Sequence, residues 1–169
     1  MHKRAYDFIA EHAVPDSVNV FEIGSRNING TARDHWPNAT WTGIDLHEGP
    51  GVDIAADIFE LIECEDWRIN NILGSADFVV CAEVAEHCSR WRELANAAAS
   101  LLKFGGKYIG TAAGPGRRAH SAIDGRQLRQ GEYYQNIPAK SMLASLQSAG
   151  FRYAYAIEVV NDIQWLAIK

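Results

Sequence analysis

Between Val18 and Ile58 three short apolar runs each end in a carboxylate, and this repetition constrains the fold more than any other feature of the chain. The first, Val18 to Ile23, carries Glu22 near its end and breaks into a loop rich in Gly, Asn and Ser. The second, Thr40 to Ile44, ends in Asp45, twenty-one residues after Gly24, and the third, Val52 to Ala56, ends in Asp57. Short apolar runs closed by turn residues read as buried strands. Three of them, each delivering an acid at its C-terminal edge, describe a nucleoside-binding crevice in an open parallel sheet.

The chemistry of that crevice follows from the residue types. Gly24 lets the backbone turn sharply and approach a ligand closely, because no Cβ stands in the way. Asp45 suits a bidentate grip on the two hydroxyls of a ribose. Asp57 can accept from an exocyclic amine such as adenine N6, with the Ile58 backbone beside the ring. Glu22 points to a cationic ligand group. A diphosphate dinucleotide needs the opposite: glycines around a helix N-terminus and no carboxylate in the turn.

The remaining sequence is consistent with one domain over residues 1–169, long enough for a full core and short for an added substrate domain. A net charge of −5 argues against extended nucleic acid as a partner. No apolar run approaches the ~20 residues of a membrane span, and no signal-peptide core opens the chain, so a cytoplasmic protein with no membrane partner is expected. Cys64, Cys81 and Cys88 are odd in number and lack Cys-x-x-Cys spacing, which fits a reducing compartment.

Helical spacing of Ala5, Tyr6, Ile9 and Ala13 predicts an N-terminal helix within residues 1–14, stopped by Pro15-Asp16. Phe59 to Leu73 holds one or two short helices, and Asp77 to Ala82 is a central strand. Ser89 is the expected N-cap of a helix that Gly105-Gly106 ends. After strand Lys107 to Ala112, residues 113–137 form a long loop, read as a substrate lid. Its Arg117, Arg118, Arg126 and Arg129 fit either an anion-selective lid or a solvated loop, and Tyr133 and Tyr134 either wall the site or pin the lid. A helix from Pro138 to Gly150 precedes two strands, Phe151 to Val160 and Ile163 to Ile168, joined at Asn161-Asp162. Trp36, Trp41, Trp67, Trp91 and Trp165 are expected to pack in the core or against helices rather than to serve as stacking platforms.

In order and spacing these motifs resemble the class I S-adenosylmethionine-dependent methyltransferases. Glu22-Ile23-Gly24 is similar to the acid-x-Gly opening, Asp45 to the ribose acid and Asp57 to the adenine acid. Ala82-Glu83-Val84-Ala85-Glu86-His87 resembles the segment after strand four, and Phe104 to Thr111 the Gly-Gly turn into strand five. The family's Gly-x-Gly-x-Gly loop reads Gly24-Ser25-Arg26-Asn27-Ile28-Asn29-Gly30 here, without the middle glycines. The resemblance implies an α/β, Rossmann-like, seven-stranded, mostly parallel sheet with helices on both faces and a C-terminal antiparallel β-hairpin. It implies S-adenosylmethionine as cofactor, held by Glu22, Gly24, Ser25, Arg26, Gly30, Asp45, Leu46, Asp57, Ile58 and Glu83.

A helical turn from Glu83 to Cys88 places Glu83, Glu86 and His87 on one side, at i, i+3 and i+4. The Glu-x-x-Glu-His pattern is similar to that of small-RNA 2′-O-methyltransferases and ubiquinone-pathway O-methyltransferases, which implies a divalent metal, Mg²⁺ or Mn²⁺, on Glu83, Glu86, His87 and His120. The same pattern also occurs in the superfamily without metal, its His packing near the site. Methyl transfer from a sulfonium needs alignment, exclusion of water and, for a hydroxyl acceptor, a base, for which Glu83, His87 and His120 are the candidates. The expected substrate is a small molecule or a polymer end with an O or N acceptor, and a homodimer is a further expectation. Two rivals remain: a cofactor-binding protein of this fold without turnover, and a nicotinamide-dependent Rossmann enzyme, disfavoured by Glu22 and the missing Gly-x-Gly-x-x-Gly.

Overall fold

The computed structural model describes all of residues 1–169. Strands β1 (Asn19–Ile23), β2 (Thr40–Asp45), β3 (Ile54–Ala55), β4 (Ala76–Ala82), β5 (Leu102–Ala113), β6 (Tyr153–Val159) and β7 (Asp162–Ile168) form one sheet in the order β3-β2-β1-β4-β5-β7-β6. The first five are parallel, and β7 runs antiparallel to both β5 and β6. Five helices accompany them: α1 (Lys3–Ala10), α2 (Ile58–Glu63), α3 (Trp67–Asn70), α4 (Leu94–Leu101) and α5 (Ala139–Ser148). None is long and apolar enough to cross a membrane.

Successive side chains on a strand point to opposite faces, and the core divides accordingly. Phe21, Ile23, Val79, Cys81 and Tyr108 pack beneath α2, α3, α4 and α5. Val20, Phe78, Val80 and Ile109 pack on the other face beneath Phe8 and Ile9 of α1. That second layer is thin because no helix follows β1: between Ile23 and Thr40 the chain makes only the 3₁₀ turn Ala32–His35. Trp36 fills the space instead, its ring centroid 5.5 Å from Phe78 and 5.7 Å from Trp41. Truncating so large a buried ring costs ~3–5 kcal/mol.

Strand order reverses between β1 and β4, so a crevice opens above their C-terminal ends. Register decides what lines it. Glu22 pairs with Gly43 and with Val80, and Ala82 pairs with Thr111. Strand β4 therefore runs two residues beyond its pairing with Glu22 and delivers Glu83 just past the sheet edge. At the far side, Ala113 of β5 pairs with Asp162 of β7, which brings the start of the last strand to the same edge.

Several local expectations are corrected. Helix α1 ends at Ala10, and only single turns carry the chain to Ala13. Strand β3 has two residues, because Asp57 leaves it to cap α2, accepting the Phe59 N–H at 2.8 Å. Ser89 caps nothing: a 3₁₀ turn, Trp91–Glu93, leads directly into α4, held by Arg90 donating to Glu93 and Glu63. Gly105-Gly106 does not end that helix but lies within β5, in the stretch where its register with β4 shifts. Pro138 is the N-cap of α5, and Gly150, at φ +82°, closes the helix in the left-handed conformation glycine tolerates. The hairpin turns at Val160-Asn161, since Asp162 is drawn into β7 as a buried acid with cationic partners. Trp67 is 79% exposed on α3, the exception among the five tryptophans.

Candidate active site

A cleft of about 980 Å³ follows the C-terminal edge of the sheet. Every cofactor-binding residue named from the sequence lies on its wall: Glu22, Gly24, Ser25, Arg26, Gly30, Asp45, Leu46, Asp57, Ile58 and Glu83. His87 and His120 line it too.

Over β1, β2 and β3 the cleft is acidic and its backbone closely approached. Gly24 sits at φ +75°, and a Cβ there would collide with the Val84 side chain. Asp45 accepts the Arg26 N–H on one carboxylate oxygen and the His47 N–H on the other, each at 3.1 Å, which fixes both oxygens toward the cleft side of the turn. Each keeps a lone pair for a ligand donor. The Phe59 N–H occupies one Asp57 oxygen and leaves the second free. Leu46 is 65% exposed at the rim, and Arg26 lays its alkyl stem on Gly49 with no hydrogen bond to its guanidinium. The Ser25 hydroxyl is buried against Gly43 without a hydrogen bond, so its side chain supports the loop from inside.

Glu22 is buried, and its Oε2 has no hydrogen-bond partner. Burial pushes its pKa up to about 7, with Arg33 only partly offsetting it from 3.9 Å. A buried carboxyl of this kind is prepared for a cation. Arg33, which no local pattern singles out, ties the region together by donating to the Gly51 carbonyl at 2.7 Å and to Asp53 at 3.0 Å.

Beyond β4 the chemistry changes. Glu83 takes φ +59°, a conformation costing a non-glycine residue ~1–2 kcal/mol. Its N–H donates to the Thr111 carbonyl at 2.8 Å, and its carboxylate accepts Thr111 Oγ1 at 2.9 Å. His2 Nε2 stands 3.2 Å from its other oxygen, with Arg117 at 3.8 Å. Burial alone pushes the Glu83 carboxyl up; the His2 hydrogen bond and charge, Thr111 and Arg117 outweigh it and hold the group below its ordinary range. Behind this pair lies Asp162, 2% exposed, bound by Arg117 and by Arg4 at 3.1 Å. Neither His2 nor Asp162 was expected in the site.

The left-handed Glu83 also overturns the expected helical turn. The chain forms a 3₁₀ turn at Ala85–His87 instead, and Glu83 is separated from the metal-ligand set. The groups that converge are Glu86, His87 and His120, whose ligand atoms lie within 4.8 Å of one another. Glu86 is fully buried and accepts the Ala113 N–H at 3.1 Å, while its own carbonyl accepts the Gln135 N–H at 2.8 Å. Its second oxygen has no partner, and burial, then Glu83, pushes its pKa up to about 8. His87 Nδ1 is likewise buried without a partner, and burial, then His120, holds this imidazole down to about 4. His120 Nδ1 meets the Arg118 carbonyl at 3.1 Å, and Tyr134 packs against both rings.

The expected lid loop spans 114–136, since Ala113 belongs to β5 and Ile137 is buried with its N–H on the Ala113 carbonyl. Asn136 clamps its base to the carbonyls of Gly114 and Arg117, and Ser121 donates to Glu132 at 2.7 Å. Arg129 is paired with Asp124, whereas Arg118 and Arg126 are exposed on the cleft wall. Tyr133 also lines the cleft, while Tyr134 packs on the histidines.

No protein-family model matches the sequence, and no curated protein is similar to it in sequence. Solved structures do match its fold. A 1,6-didemethyltoxoflavin-N1-methyltransferase of Burkholderia thailandensis, with 1,6-didemethyltoxoflavin and S-adenosylhomocysteine bound, aligns over 99% of this chain and 77% of its own, with a TM-score of 0.67 and 14% identity. An O-methyltransferase family protein of the same organism aligns over 97% of this chain with a TM-score of 0.64 and 16% identity, and this chain spans 55% of its length. An S-adenosylmethionine-dependent methyltransferase of Archaeoglobus fulgidus aligns over 98% and 95% of the two chains, with a TM-score of 0.63 and 12% identity. The chain thus has the class I fold of S-adenosylmethionine-dependent methyltransferases.

Proposed function

We propose that the protein is an S-adenosylmethionine-dependent methyltransferase acting on an oxygen or nitrogen acceptor of a small molecule or polymer end. The observation that carries this reading is the order of acids along one sheet edge: Asp57 after β3, Asp45 at the end of β2, Glu22 near the end of β1 and Glu83 after β4. An adenosine seated on Asp57, Ile58 and Asp45 directs the rest of the cofactor across β1 toward β4. There the unpartnered Glu22 oxygen fits a cation. The bound cofactor supplies an electrophilic methyl on a positively charged sulfur; the protein holds the acceptor in line and keeps water out.

The local structure counts against a dinucleotide. With no helix after β1 there is no row of free N–H groups for a diphosphate, and a buried acid would face it. Isothermal calorimetry distinguishes the two: S-adenosylhomocysteine is expected to bind one per chain and NAD not measurably, and the reverse result rejects the proposal. A non-catalytic protein of the same fold shares these binding residues, and methyl transfer to an acceptor separates it from an enzyme.

One observation favours a metal-dependent variant of this reading. Glu86 and His87 each keep a buried polar atom without a partner, and with His120 they form a carboxylate–imidazole set that suits Mn²⁺, Co²⁺ or Zn²⁺ better than Mg²⁺. Bond lengths of ~2.1 Å put tetrahedral ligand atoms ~3.4 Å apart, so the set must contract to hold an ion. A bound ion would neutralise the buried carboxyl and polarise an acceptor oxygen. Anomalous scattering from crystals soaked in Mn²⁺ is expected to place density among these three residues; its absence leaves Glu86 as the structural anchor of the loop to β5.

A further inference from the structure

We propose that β6 is a homodimer interface, in which two copies of the chain pair their β6 strands antiparallel about a two-fold axis at Tyr155 and join their sheets into one. The proposal stands apart from the methyltransferase reading and does not depend on it. Strand β6 has β7 on one side and nothing on the other. Such an edge presents a row of unpaired N–H and C=O groups, which proteins that stay single shield with proline, a bulge, charge or a very short strand. Strand β6 runs for seven residues without proline, glycine or lysine, and its pairing with β7 shows no register shift. The two-residue turn at Val160-Asn161 makes Val159 and Asp162 a hydrogen-bonded pair, so the odd-numbered residues of β6 bond to β7. Ala154, Ala156 and Glu158 therefore turn their backbone groups outward.

The odd-numbered side chains lie on the α1 face of the sheet. There Tyr155 Oη stands 3.5 Å from His12 Nε2, and the Tyr153 and Tyr155 ring centroids are 6.4 Å apart. Helices α2 to α5 pack on the opposite face, and α1 covers β1, β4 and β5 only, which leaves Tyr153 55% and Ile157 47% exposed. A second copy is the occupant because the strand is its own antiparallel complement. With Tyr155 opposite Tyr155, Arg152 falls opposite Glu158, Tyr153 opposite Ile157 and Ala154 opposite Ala156, each combination occurring on both sides of the axis. The alanines take the hydrogen-bonded positions, and the tyrosines and isoleucine take the others, where opposed side chains come closest. Arg152 and Glu158 are exposed, and neither belongs to an ion pair within the chain; Glu158 has only the Ala139 N–H at 3.5 Å. A register two residues away leaves both charges unmatched, so the charges fix the alignment as well as the partner.

Sedimentation velocity of the full chain over a range of micromolar concentrations tests the proposal, and a concentration-dependent dimer is the expected result. Arg152→Glu and Glu158→Arg each set like charges opposite one another on both sides of the axis, so each is expected to raise the dissociation constant ~10-fold or more. An equimolar mixture of the two variants restores opposite charges, and a heterodimer about as tight as the parent dimer is expected. Ile157→Lys, which puts a charge on the open face without touching Arg152 or Glu158, is expected to weaken pairing as well. Hydrogen exchange reads the same interface without any variant: the Ala154, Ala156 and Glu158 amides are expected to gain protection as the parent concentration rises. A parent that stays monomeric overturns the proposal, as do a dimer that leaves these amides unprotected and charge variants that fold and weaken pairing yet do not recombine.

Discussion

Buried carboxyls without full hydrogen bonding are the most informative residues of this protein, because each states a need that the polypeptide alone does not meet. Glu86 gives a measurable consequence. Its pKa is about 8 when folded against an ordinary 4.5, so between these values the folded chain holds a proton that the unfolded chain has released. The unfolded state then binds fewer protons, and stability contributed by this residue falls as pH rises. In chelator-treated protein, Glu86→Gln is therefore expected to become more stable relative to the parent from pH 5 to pH 8, by up to ~1.4 kcal/mol per unit. Urea titrations at several pH values measure the difference; a difference that does not change with pH would show that Glu86 ionises freely. Glu22 shows the same tension on the cofactor side, where the missing partner is expected to be a ligand cation.

At the scale of elements, strands were legible wherever burial on both faces left a continuous apolar run, as in Phe78 to Cys81. Their ends were not. The hairpin illustrates why: Asn161-Asp162 has the local chemistry of a turn, yet Asp162 is claimed by Arg4 and Arg117, and the turn moves onto Val160. A β-branched residue at φ +62° and 70% exposure gains no packing in return. Val160→Asn is accordingly expected to stabilise the protein by ~1 kcal/mol, raising Tm by ~2–4 °C in thermal unfolding. A lower Tm would mean that Val160 makes contacts in solution that its exposure does not suggest. Helix α4 repeats the lesson, since the Arg90 ion pairs, rather than the Ser89 hydroxyl, organise its start.

For the whole molecule, the meeting of Glu22, Asp45 and Asp57 on one cleft wall was readable because each acid lies at or just past the end of its own strand, and parallel register then aligns them. The far side of the cleft was not, because its groups meet only through topology. His2 and Asp162 stand at opposite ends of the sequence and lie 3.4 Å apart, brought together by α1 packing and by the pairing of Ala113 with Asp162. His120 joins His87 through an irregular loop, and Glu83 leaves that set because one residue adopts a left-handed backbone. On the proposed function, Asp45 is expected to grip the cofactor ribose. Calorimetry of S-adenosylhomocysteine with the parent and with Asp45→Ala tests it most directly. Loss of hydrogen bonds to a charged acceptor costs ~1.5–3 kcal/mol, so binding is expected to weaken roughly 10- to 150-fold while thermal unfolding stays close to that of the parent. Equal affinity in the folded variant would contradict the assignment of this cleft.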